Sequence, residues 1–62
     1  MKLSTFIKRR GYGAIAEIAK RGDVSRSSVE RAAAGAAVTA KTARGIEKGT
    51  GGKVKARALV GL

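Results

Sequence analysis

Between positions 26 and 31 the chain places Arg26, Ser27, Ser28, Glu30 and Arg31 close together. A guanidinium makes a two-pronged hydrogen bond to guanine, a serine hydroxyl donates or accepts, and a carboxylate accepts from the amino group of cytosine. On one helix such residues can meet base edges in a major groove. Any solvated helix shows a similar charged face, so the choice depends on where this segment sits and on what surrounds it.

Enzymatic chemistry has little support. The chain has neither cysteine nor histidine, which removes thiolate nucleophiles, zinc sites, disulfides and the commonest general base. Its four acids, Glu17, Asp23, Glu30 and Glu47, form no convincing catalytic or metal-binding spacing. Gly51-Gly52-Lys53 resembles a phosphate-binding loop only in part. That loop needs a glycine where Glu47 stands and a hydroxyl residue where Val54 stands, so a helix end followed by a turn is the better reading. No catalytic residue, metal, cofactor or small-molecule substrate is expected.

Charge points instead to a polyanion. Fourteen Lys and Arg stand against four acids, a net +10 in 62 residues. Each phosphate so neutralised releases condensed counterions, which favours binding. An anionic membrane is the competing partner. No apolar run approaches the length of a membrane span, and the charged N-terminus does not read as a signal peptide. The expectation is a soluble cytoplasmic protein of the bacterial cytosol or nucleoid, or of a phage-infected host.

Size allows one domain, residues 1–62. Leu, Ile, Val and Phe number only 13 of the 62, and twelve alanines imply closely approaching helices over a thin core. Typical per-residue values give a stability of about 3–9 kcal/mol.

Glycine supplies most of the punctuation, because proline is absent. Leu3, Phe6 and Ile7 have helical spacing and stop at Gly11-Tyr12-Gly13. Ile15, Ile18 and Ala19, with Ala16 beside them, repeat that spacing up to Arg21-Gly22-Asp23, where Gly22 and Asp23 both tolerate a left-handed turn. Ser25 reads as an N-cap, Val29, Ala32 and Ala33 as the next apolar stripe, and Gly35 as a helix stop. Thr39 caps a fourth helix reaching about Lys48, with Ala43 and Ile46 inward, and Gly49-Thr50-Gly51-Gly52 ends it. Val54, Ala58, Leu59 and Leu62 mark a short last helix or docking arm.

The spacing of the central pair is more specific than its existence. Ala19, Val24, Ser25, Val29 and Ala32 occupy relative positions 0, 5, 6, 10 and 13. A helix-turn-helix needs a small residue where its helices meet, an apolar residue in the turn, a cap for the second helix, and two apolar residues pinning that helix down. All five positions are suitably filled, over about residues 14–35. Arg26, Ser27, Ser28, Glu30 and Arg31 are then the candidate base-reading residues.

The stretch Ile18 to Gly35 resembles the helix-turn-helix of Cro and YdaS-type phage regulators, which commonly show Val-Ser before the reading helix and a glycine just after it. Thr42 to Val54 resembles the fourth helix and following turn of the same proteins. Departures are Gly22-Asp23 where an apolar residue and glycine are usual, Ile15 where glutamine is common, and alanines at bulky positions of the reading helix. The resemblance implies an all-α fold, a small four- to five-helix lambda-repressor/Cro-like domain. Its second and third helices would bind double-stranded DNA, as a repressor that is a homodimer at least on its palindromic operator. By position, phosphates would be met at Gly13 and Ala14, through free N–H groups at a helix start. Lys20 and Arg21 beside the turn, and Lys41, Thr42 and Arg44 opening the fourth helix, complete that set.

Three other readings use the same composition. A nonspecific nucleic-acid-coating protein would not need the spacing from Ala19 to Ala32, and a membrane peptide would show one continuous apolar stripe. A phage or antitoxin adaptor would use the helix-turn-helix to bind protein. Single-strand binding by base stacking fits poorly with one Tyr and one Phe.

Overall fold

Leu3 and Phe6 anchor the first helix, α1 (Leu3–Arg10), by burying one face, while Lys8, Arg9 and Arg10 occupy its last turn, where the helix dipole favours cations. The computed structural model of the chain describes residues 2–59. The expected contribution of Leu62 to a last helix lies outside the described residues. Helix α2 spans Ala14–Gly22 and buries Ala14, Ile18, Ala19 and Gly22. Helix α3 spans Arg26–Ala33 and buries Val29 and Ala32. Helix α4 spans Ala40–Gly49 and buries Ala43, Ile46 and Gly49. A single 3₁₀ turn follows at Ala56–Ala58. The fold is all-α, with four α-helices and no strand among the described residues.

Local chemistry explains most boundaries. The Ser25 hydroxyl accepts from the Ser28 N–H at 3.1 Å, and the Thr39 hydroxyl accepts from the Thr42 N–H at 3.3 Å, so α3 and α4 start at side-chain caps. Gly35, at φ +94°, follows the end of α3 in a conformation that glycine adopts without strain. At the end of α2 the expectation needs correcting. Gly22 belongs to the helix and is buried, and Asp23 alone takes the left-handed conformation, at φ +55°.

Packing explains the glycine. Helices α2 and α4 run antiparallel, with Gly22 against Gly45 and Ile18 against Gly49. A side chain at any of these glycines would enter the facing helix or its neighbour Val24. The core joins Leu3 and Phe6 of α1, Ile18 and Ala19 of α2, Val29 and Ala32 of α3, Ile46 of α4, and Val54 beyond it.

The C-terminal segment is tied down by polar groups. Buried Thr50 donates its hydroxyl to the Glu47 carbonyl at 3.0 Å and accepts from the Val54 N–H at 3.2 Å. The Glu47 carboxylate accepts from the Ala56 N–H at 2.7 Å. These contacts seat Val54 in the core and hold the 3₁₀ turn, which stands where a short last helix or docking arm was expected. No helix among the described residues is long and apolar enough to cross a membrane.

Candidate nucleic-acid interface

Helices α2 and α3 are joined through Asp23, Val24 and Ser25. The five spacing positions have the environments their chemistry requires. Ala19, Val29 and Ala32 are buried, Val24 is partly buried against the core, and Ser25 caps α3. Burying Val29 and Ala32 turns the opposite side of α3 to solvent.

At about 100° per residue, the positions follow one another around α3 in the order Arg26, Glu30, Ser27, Arg31 and Ser28. The first four are exposed and Ser28 is half-buried. Ser27 and Glu30 therefore occupy the middle of the exposed arc, with Arg26 on one flank and Arg31 on the other. Ser28 turns toward the cap, where its Oγ lies 2.8 Å from the Ser25 Oγ. Its hydroxyl is already engaged, unlike the free base-reading group expected from sequence.

Each flank of α3 borders a shallow cleft. On the Arg26 side, Arg26 and Glu30 face the Gly11-Tyr12-Gly13 loop and the start of α2 across about 420 Å³. On the Arg31 side, Arg31 and Ser28 face Val38, Thr39 and Thr42 across about 170 Å³. A third cleft, of about 430 Å³, runs along the α2–α3 turn and gathers Lys41, Thr42, Arg44 and Lys48 of α4 opposite Asp23 and Ser25.

The expected phosphate-contacting residues divide between these places. Gly13 is the exposed N-cap of α2, at φ +87°, and brings no side-chain cap to that helix end. Ala14 is buried, and its N–H is bonded to the Gly11 carbonyl at 3.2 Å, so it is not the free donor that the sequence suggested. The next amides, of Ile15 and Ala16, are the orphan donors of that first turn. Lys20 is exposed. Arg21 is drawn toward Glu17 at 3.7 Å, and Arg10 approaches the same carboxylate at 3.4 Å. Both pairs are substantially exposed and contribute little to stability. Lys41 and Arg44 are exposed and Thr42 half-buried, and Thr42 shares a 3.1 Å hydroxyl bond with Thr39.

Two residues with a place in this surface escaped the sequence reading. Lys48 joins the α4 group, and its spacing of four from Arg44 and seven from Lys41 is a signal that would have found it. Tyr12 is the other. It is exposed to the full extent of an extended chain, and no periodicity marks it. Among the described residues no group of His, Cys, Asp and Glu is arranged to hold a metal ion. The chemistry this surface offers is hydrogen bonding and positive charge on an exposed helix face.

No family model matches the chain, and no curated protein or solved structure matches it.

Proposed function

We propose that this chain is a sequence-specific double-stranded DNA-binding regulator, a Cro-type repressor that uses α2 and α3 as a helix-turn-helix. The observation that carries the reading is the exposed arc of α3, with Arg26, Ser27, Glu30 and Arg31 presented outward while Val29 and Ala32 pin the helix to the core. The net charge of +10 supports a polyanionic partner.

In this reading α3 lies in the major groove. Ser27 and Glu30 face its floor, and Arg26 and Arg31 reach the base edges to either side. Phosphates of one bordering strand meet the amides at the start of α2. Lys41, Thr42, Arg44 and Lys48 hold phosphates beyond the α2–α3 turn, and Lys20 and Arg21 add charge nearby. A second copy of the chain occupies the other half of a palindromic operator. The cytoplasm or nucleoid of a bacterium, or of a phage-infected host, is the corresponding location.

The direct test is selection of bound duplexes from a random pool, followed by footprinting of the recovered sites. Recovery of a palindrome with regular half-site spacing is the expected result. Equal affinity for every duplex at near-physiological salt would overturn sequence-specific regulation and favour a nonspecific coating role.

A further inference from the structure

The Arg26 cleft has an outer wall that the proposed reading helix does not use. Tyr12 stands at the tip of the α1–α2 loop, between Gly11 at φ +88° and Gly13 at φ +87°. It is the one large apolar side chain among the described residues that is fully exposed, at 109% of its extended-chain value. A ring so exposed contributes nothing to the core. Tyr12 is among the residues that border the cleft lined by Arg26 and Glu30. The preceding turn of α1 carries Lys8, Arg9 and Arg10, all exposed. Arg10 is shared with Glu17 and with the face of the Phe6 ring, 5.3 Å from its centroid.

We propose that Tyr12 is a further nucleic-acid contact, whose hydroxyl donates to a phosphate oxygen on the strand bordering the groove that α3 occupies. The inference rests on the DNA-binding reading above and adds to it a residue outside the two proposed motif helices. Three observations support it. Tyr12 is separated by the cleft from the outward arc of α3, so it faces the edge of the groove and not its floor. Bases in a duplex are stacked and closed to an outside ring, which leaves sugar and phosphate as the groups within its reach. The neighbouring Lys8 and Arg9 draw the same anionic strand to this end of the molecule.

Phosphate contacts carry no base information, and a neutral hydroxyl releases no counterion. The loss of Tyr12 should therefore weaken all duplexes alike without changing the salt slope. The chain has one Tyr and no Trp, so its intrinsic emission reports on Tyr12 alone.

The experiment titrates the intact protein with a fluorescein-labelled duplex followed by anisotropy. In parallel, Tyr12 emission from the unlabelled complex is measured with acrylamide as a neutral quencher. The expected result is rising anisotropy together with loss of acrylamide access to Tyr12. Tyr12→Phe and Tyr12→Ala should both weaken binding by about 2- to 10-fold, the range for one net hydrogen bond, with similar factors for different duplexes. Because the ring is fully exposed, both variants should keep the helical circular dichroism of the parent.

Rising anisotropy with an unchanged quenching constant would overturn the Tyr12 contact and leave the DNA-binding reading intact. A Tyr12→Phe variant that binds as tightly as the parent would overturn the hydroxyl–phosphate bond. Failure of any duplex to bind would overturn both the reading and the inference. Shielding of Tyr12 by vesicles of anionic phospholipid, but not by duplex, would also overturn the contact and assign this tip to a membrane surface.

Discussion

Gly22 of α2 and Gly45 of α4 meet backbone to backbone, with no room for a side chain on either. A Cβ on Gly45 would lie 2.6 Å from the Gly22 carbonyl oxygen and 2.5 Å from Val24 Cγ1, and one on Gly22 would run into the Gly45 carbonyl group. This contact ties the end of the first proposed motif helix to the helix that carries Lys41, Arg44 and Lys48.

Gly22→Ala is therefore expected to destabilise the domain. In an open helix the same change is worth about 0.5–1 kcal/mol in favour of alanine. Here the obstructing atoms are backbone and cannot rotate aside, and overpacking of this kind costs about 1–3 kcal/mol. Thermal unfolding followed by far-UV circular dichroism should show a lower Tm. A Tm equal to or above that of the parent would show that α2 and α4 are not in this contact.

Thr50→Val should cost about 1–3 kcal/mol, because it keeps the shape but strips the buried Val54 N–H of its acceptor. Thr50→Ser retains the hydroxyl and should recover most of the loss. Urea unfolding of the three proteins compares them directly. Equal midpoints for Val and Thr at this position would mean that the hydroxyl does not hold the C-terminal segment.

Val29→Asp should unfold the domain or nearly so. Val29 has no exposed surface, and a buried unpaired charge costs several kcal/mol against a total of about 3–9 kcal/mol. An unchanged helical signal and melting temperature would place Val29 outside the core and break the proposed register of α3.

Arg26→Ala should cost about 1–3 kcal/mol on the best operator and relax preference at one base pair per half-site. Arg26 lies in the first turn of α3, the part of a recognition helix that commonly enters the groove most deeply. Selection repeated with the variant reads both quantities. If affinity and preference are untouched while the fold persists, α3 is not the reader and protein binding becomes the leading function.

The affinity of the parent should fall steeply with salt, with a slope of about −4 to −5 in log K against log salt for roughly 4–6 phosphates per subunit. Lys41→Ala should weaken all sequences nearly alike and reduce that slope by about one. A slope that Lys41→Ala leaves unchanged would remove Lys41 from the phosphate-contacting set.

The caps at Ser25 and Thr39, the inward stripes Leu3/Phe6, Ile18/Ala19, Val29/Ala32 and Ala43/Ile46, and the exposed arc of α3 were all legible in the sequence. Each follows from helical periodicity or from a hydroxyl within three residues of the amide it caps, and such interactions form within a single segment. Tertiary structure decided what depends on distances between segments and on the course of the turns. Gly22 read as turn punctuation, yet it lies in α2 because α4 approaches too closely for a side chain. Ala14 read as a free donor, yet the course of the preceding loop places the Gly11 carbonyl against it. Lys48 shares the helical spacing of Lys41 and Arg44, but only the packing of α4 set it beside the α2–α3 turn. Thr50 was hidden until its hydroxyl proved to link Glu47 with Val54. For Tyr12 the sequence supplied only an aromatic between two glycines. Its complete exposure at the edge of the Arg26 cleft is a property of every element that could have covered it and does not.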